Sequence, residues 1–276
     1  MSVFAPRLRA VVDNDFAGDP DGLVALAHLA LADAVGIALV TVTAVDPALA
    51  AVAGVDGTRS AQAGRERAAE LFRVAGIPAP EIVAGREDFD SSGSNPAAEA
   101  IARVGATAGL PLVILCGGPL TNVAAALRTD PALAERATLV WIGGTASGEG
   151  SEYNLDTDVD AAVAVRASGI PMSRVPREQY ARLRVSVAEV RDDLSGTGVL
   201  GRWISARLLD IPAFVRLHGT LTLGDSGLAA VAALEPEHLP DDARPQVTVD
   251  GIDTRLLWAD FLALLRTHER HTKGTP

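Results

Sequence analysis

Short apolar runs alternate with alanine-rich amphipathic segments along most of this chain, and that rhythm restricts the fold more than any other feature. Runs too short to be helices, rich in Val, Ile and Leu, read as strands. The longer segments between them, apolar on one side, read as helices. Strand and helix in regular succession build an α/β domain with a mostly parallel open sheet, Rossmann-like, with helices on both faces. Strands are expected at residues 8–12, 37–44, 81–84, 112–116, 138–142 and 246–249. Helices are expected at 23–31, 59–75, 96–104, 121–128, 159–167 and 227–234, with Gly76 and Gly169 as stops. Between 178 and 220 the pattern is weak: a helix over 204–209 and an irregular stretch to Thr220, a segment that could serve as a lid. No linker, repeat or low-complexity tract interrupts the chain, so residues 1–276 read as a single domain.

Four aspartates fall within the first strand-to-helix loop, in Asp13-Asn14-Asp15-Phe16-Ala17-Gly18-Asp19-Pro20-Asp21-Gly22. Loops of this kind form the binding edge of an open α/β sheet. Carboxylates packed so closely repel one another and resist drying, and a hard cation with oxygen ligands, Ca²⁺ or Mg²⁺, relieves both penalties. A solvated acidic turn with a helix cap explains the same residues without a ligand.

The bulk composition removes several function classes. Twenty-four Lys and Arg face 35 Asp and Glu, a formal charge of −11, which disfavours nucleic acid and anionic membranes as partners. No run reaches the length of a membrane span, and residues 1–7 lack a signal-peptide pattern. The single cysteine, Cys116, sits in an apolar strand and reads as a core residue. A reducing, cytoplasmic location fits that usage.

Three more polar stretches follow expected strands, and so fall at the same sheet edge. Gly117-Gly118-Pro119-Leu120-Thr121-Asn122 offers a tight turn, a helix cap at Thr121 or Asn122, and free carbonyls. Gly143-Gly144-Thr145 leads into Glu152-Tyr153-Asn154-Leu155-Asp156-Thr157-Asp158, where Asp158 reads as an N-cap while Glu152 and Asn154 have no evident local duty. Leu223-Gly224-Asp225-Ser226-Gly227 places Asp225 just ahead of a helix, where capping alone would account for it.

In order and spacing these four stretches resemble the inosine–uridine-type nucleoside hydrolases, ribohydrolases that cleave N-glycosidic bonds. The match runs over roughly residues 8–235. The resemblance implies the nucleoside hydrolase fold and a Ca²⁺ held by Asp15, Asp225 and the backbone carbonyl of Thr121, with Asp19 or Asp21 completing the set. It implies that the cation grips two ribose hydroxyls and the attacking water. Asp15 would be the general base, Asp21 and Asp225 would face the ribose, Glu152 and Asn154 would take its remaining hydroxyls, and Asp13 would support the loop. Family members commonly form dimers or tetramers, so a homo-oligomer is expected by resemblance.

The chain also departs from that pattern. Gly22 stands where the signature has a second adjacent aspartate, and Gly224 where a histidine often protonates the leaving base. His218, Arg177 and Tyr180 are the candidates left for that acid. The Asn often found shortly before Glu152 is missing from 148–151, and Ala44-Val45-Asp46 replaces a Gly-Asn. These changes motivate a different reading, a nucleoside- or ribose-binding homologue without turnover. A haloacid-dehalogenase-like phosphotransferase also carries Asp-x-Asp after its first strand. It needs a downstream lysine, and this chain has only Lys273, near its end.

Overall fold

The computed structural model describes residues 5–90, 93–211 and 217–273. Among the described residues there are nine strands: β1 (Leu8–Asn14), β2 (Val35–Val42), β3 (Glu81–Ala84), β4 (Leu112–Cys116), β5 (Ala137–Ile142), β6 (Met172–Val175), β7 (Arg184–Ser186), β8 (Thr220–Thr222) and β9 (Gln246–Thr248). Seven form one sheet in the order β3-β2-β1-β4-β5-β6-β9, every pair parallel. β7 and β8 make a separate antiparallel pair. β4, with all five residues buried, has the continuous apolar sequence of a strand covered on both faces.

Side chains alternate across the sheet and divide the core in two. Ala10 and Val12 of β1 pack with Leu23, Leu26, Leu71, Phe72, Ile204, Leu208 and Phe261, beneath helices Asp21–Leu31, Ser60–Ala75, Val199–Leu209 and Thr254–Lys273. Val11 points the other way, to Ile101, Ile114, Val123, Leu139 and Val165, beneath Pro96–Gly105, Thr121–Thr129 and Val159–Ala167. Ser60–Ala75 ends where Gly76 takes a left-handed conformation, φ 67°, as its sequence position implies.

The chain leaves β1 toward β2 on one side and later enters β4 on the other. The gap between β1 and β4 is therefore the topological switch point, where loops diverge and leave a crevice.

Several elements differ from expectation. β2 begins at Val35 and ends at Val42, with a register irregularity opposite Ala10 and Val11. β6, β7, β8 and helix Thr254–Lys273 are additions. Residues 178–211 are ordered rather than irregular: Val190, Leu194, Leu200, Ile204 and Leu208 are all core residues. This packing argues against a lid, and the expected irregular stretch partly lies at 212–216, outside the described residues. Among the described residues, no helix is long and apolar enough to cross a membrane.

Candidate active site

β1 delivers Asp13 and Asn14 to opposite faces of the sheet and Asp15 to the turn beyond it. Asp13 is fully buried. Its Oδ1 accepts from the Thr41 hydroxyl at 2.6 Å and the Asn122 amide at 2.8 Å, and its Oδ2 accepts from the Thr43 hydroxyl at 3.0 Å. The Cys116 thiol lies 3.5 Å from the same Oδ2. Asn122 also donates to Thr43 and accepts from Asn95, which caps helix Pro96–Gly105. This neutral network ties β1, β2 and two helices together around one carboxylate. Burial still pushes the Asp13 carboxyl up against the opposing pull of those donors. Burial first, then Asp13, pushes the Cys116 thiol well up, so the cysteine is an inert core residue, as its sequence setting suggested.

Asn14 links the carboxylates on the other side. Its Oδ1 accepts from the Asp15 backbone N–H at 2.8 Å, and its amide donates to Asp225 Oδ2 at 2.9 Å. The Asp225 N–H in turn donates to Asp21 Oδ2 at 3.0 Å. Asp15, Asp21 and Asp225 are thus held in one buried constellation, although Asp225 is far from the others in sequence. Burial raises all three well above the usual carboxylate range. Asp21 adds to the effect on Asp15, and Asp225 to that on Asp21. Asn14 lowers Asp225, but burial outweighs it, and Asp15, Asp19 and Glu152 add smaller upward pushes. Among the described residues, no ion pair involves any of the three.

Buried like charges with no basic partner favour a cation, and the donors are all oxygen, as a hard ion prefers. In that chemical sense the residues fit Ca²⁺. Among the described residues, however, no three Asp, Glu, His or Cys side chains are arranged to hold an ion by themselves. Other oxygens would have to complete its shell.

The remaining expected residues fall around this centre. Asp19 is exposed at the rim, and its Oδ1 accepts from the Asp21 N–H at 3.3 Å. Asp21, rather than Asp19, is buried with Asp15 and Asp225. A side chain at Gly22 would force Asn14 to shift: a Cβ there would lie 2.8 Å from Asn14 Nδ2 and 3.2 Å from Asp225 Oδ2. The expected cap at Thr121 or Asn122 does not form. Thr121 is buried and its hydroxyl donates to Asp158, while Asn122 serves Asp13. Asp158 does cap its helix, accepting from Ala161 N–H at 2.9 Å. Asp225 makes no capping bond, so capping does not account for it.

Glu152 and Asn154 do have local duties, contrary to expectation. The Glu152 carboxylate caps the five-residue helix Tyr153–Thr157. Asn154 donates to the carbonyls of Gly117 and Ile142, both at 2.8 Å, and so stitches the ends of β4 and β5 together. Neither duty could be read from so short a helix. Asn14 is a further site residue, and its hub position depends on Asp225, distant in sequence. Asp46, in place of the Gly-Asn, caps helix Pro47–Val52. Of the candidate acids, His218 is exposed and Arg177 donates to the Ser151 carbonyl, while Tyr180 touches the site through Glu152.

The family model defines the class that this fold and acidic centre suit: the protein is an N-glycosyl hydrolase of the nucleoside hydrolase kind. More particularly, the chain belongs to the family described as inosine-uridine preferring nucleoside hydrolase, whose family model matches residues 10–255. Solved structures agree in fold. An inosine-guanosine nucleoside hydrolase superposes with a TM-score of 0.72 at 17% identity, over 96% of this chain and 99% of the other. A purine-preferring ribonucleoside hydrolase from Gardnerella vaginalis gives 0.73 at 16% identity, over 95% and 99%. The type III effector protein XopQ, complexed with adenosine diphosphate ribose, gives 0.70 at 17% identity, over 96% and 95%. No curated protein sequence matches at a significant level. The family assignment removes the phosphotransferase reading.

Proposed function

We propose that the chain hydrolyses the N-glycosidic bond of a ribonucleoside or related riboside in a Ca²⁺-dependent reaction, releasing base and ribose. The observation that carries this reading is the buried, hydrogen-bonded trio Asp15, Asp21 and Asp225, with no basic partner among the described residues. Asp15, Asp21 and Asp225 would hold the ion, joined by the Thr121 carbonyl and, from the rim, Asp19. When bound, it supplies the positive charge that keeps these carboxylates ionised and orients oxygens of sugar and water.

Asp15 acts as general base. It takes a proton from the water whose oxygen bonds to C1′ while the bond from C1′ to the base nitrogen breaks. The electron pair leaves with the base, which is protonated from solvent. The positive character that develops on the sugar is stabilised by Asp21 and Asp225 beside it. Asp13 holds β1 rigid behind Asp15. Glu152 and Asn154 lie at the sugar's far side. A cytoplasmic homo-oligomer, dimer or tetramer, is the proposed setting.

A binding-only role is the second reading, favoured by Gly22, which supplies no carboxylate and packs against Asn14 and Asp225. Ribose release from a panel of ribonucleosides, with Ca²⁺ and then with chelator, separates the two. Chelator-sensitive release, lowered at least about a hundredfold in Asp15→Ala, supports hydrolysis. Full activity in that variant refutes the mechanism, and Ca²⁺-dependent riboside binding without release supports the second reading.

A further inference from the structure

A cavity of about 430 Å³ lies beside the aspartate loop, large enough for a small organic molecule. It adjoins the carboxylate centre at Gly18, Asp19 and Pro20 but is lined by none of Asp15, Asp21 and Asp225. A Cβ on Gly18 would lie 3.3 Å from Leu49 Cδ2 and 3.4 Å from Asp15 Oδ2. That glycine therefore touches both the cavity and the surroundings of Asp15. Leu23, Leu49, Val52 and Leu208 give the cavity apolar walls, and Val52 is 44% exposed.

Two guanidinium groups, Arg67 and Arg207, line the same cavity. Arg67 is half-buried. Its Nη1 donates to the carbonyls of Phe16 at 3.3 Å and Ala17 at 2.8 Å, on the loop that carries Asp15. Among the described residues, its Nε and Nη2 have no acceptor and no carboxylate pairs with it. Arg207 is held by Glu70, to which its Nη2 donates at 2.9 Å, and its guanidinium lies 5.2 Å from the centre of the Trp203 ring. Burial, and then Arg207, holds Arg67 below the usual guanidinium range. Two carboxylates also line the cavity. Asp210 is exposed and draws Arg67 up by less than Arg207 pushes it down, while Asp19 accepts from the Asp21 N–H. Arg67 is thus a partly desolvated cation beside a like charge, with donors unspent.

Such a group favours an anion, and the planar fork of a guanidinium matches a carboxylate. The apolar walls suit a hydrocarbon body attached to it. We propose that this cavity is a binding site for an organic carboxylate, with Arg67 taking the charged end, Arg207 adding a second positive charge, and Leu23, Leu49, Val52 and Leu208 surrounding the apolar body. The ligand meets the same guanidinium that holds Phe16 and Ala17, and so touches the loop that carries Asp15. Its carboxylate belongs either to the base of the riboside or to a separate molecule.

Calorimetry on the full chain tests the site with phenylacetate and its neutral amide, phenylacetamide. The carboxylate should bind at least about tenfold tighter than the amide, and Arg67→Gln should remove that difference. Arg67→Gln also releases two loop carbonyls, so Val52→Glu serves as the second variant. It leaves Arg67 in place and sets a carboxylate on an exposed wall of the cavity. Phenylacetate should then bind about tenfold more weakly, with the melting temperature within about 2 °C of wild type. Equal affinity for acid and amide, no saturable binding of phenylacetate by the wild-type chain, or undiminished binding in both variants overturns the proposal. Ribose release with phenylacetate added separates the two sources. Inhibition competitive with the riboside assigns the carboxylate to the leaving base, and binding without inhibition assigns it to a separate ligand; both support the site. The binding measurements need no turnover, so failure of the hydrolase reading leaves this inference standing.

Discussion

Removing the Asp13 side chain should cost far more than neutralising it, because of what each change does to its donors. Three polar hydrogens converge on the carboxylate in a fully buried setting, from Thr41, Asn122 and Thr43. Asp13→Ala strands all three. At about 1–3 kcal/mol for each unsatisfied buried group, partly relieved by hydroxyl rotation, the loss is about 3–5 kcal/mol. Asp13→Asn keeps an oxygen at the Oδ1 position for Thr41 and Asn122. Its new amide can donate to Thr43, whose hydroxyl also accepts from Asn122 and must turn away. Only one donor is then displaced, at about 1–2 kcal/mol. In a domain of this size the melting temperature falls by about 2–4 °C per kcal/mol, so about 6–20 °C for Ala and about 2–8 °C for Asn. Urea unfolding of metal-free wild type and both variants, with matched slopes, measures the order directly. An alanine variant as stable as wild type, or an asparagine variant worse than alanine, would falsify the network account.

The remaining predictions concern charge and packing at the centre. Asp15, Asp21 and Asp225 have folded pKa values raised above about 4, their unfolded value, so the folded state holds more protons and metal-free stability falls as pH rises from about 4 through the raised values. Thermal melts of chelated protein from pH 5 to 8 should show that decline and Ca²⁺ should remove most of it; a flat or rising curve refutes the sign. Asp15→Asn and Asp225→Asn should each relieve repulsion, leaving the chelated protein at least as stable as wild type while abolishing the Ca²⁺-induced rise in melting temperature. A Ca²⁺ response of undiminished size in both would remove them from the ion site. Gly22→Ala should destabilise by about 1–3 kcal/mol, since its methyl would press on Asn14. Unaltered unfolding in that variant would show that the contact relaxes freely.

How far the sequence revealed this arrangement depended on whether a signal was local. The buried run Leu112–Cys116 and the helix Val159–Ala167 lie where expected, because apolar continuity and periodicity are properties of neighbouring residues. The sheet edge that gathers the polar loops was legible too, but the switch point between β1 and β4 was not, because strand order is set by pairing between distant segments. Helix Thr254–Lys273 buries Leu257, Trp258, Phe261, Leu262 and Leu265 at helical spacing, yet interleaved charges such as Arg255, Asp260 and Arg266 dilute the signal. Roles set by distant partners were hidden. Thr41 and Thr43 read only as strand formers, and Asn14 as a turn residue. Tyr180 gives no hint that its hydroxyl finds Glu152.

Asp13 and Asp15 show why reading the loop as a single acidic cluster was too coarse. Both precede the helix Asp21–Leu31, and both are buried. Strand alternation sends Asp13 into the sheet face where Thr41, Thr43 and Asn122 can surround it with neutral donors. Asp15 lies one residue past the end of β1, beyond the ladder, where its neighbours are Asp21 and Asp225. One carboxylate has neutral donors that offset much of the cost of its burial. The other is left with repulsion that only a proton or a cation can relieve. That residual demand for positive charge is the physical reason to place the chemistry at Asp15 and the support at Asp13.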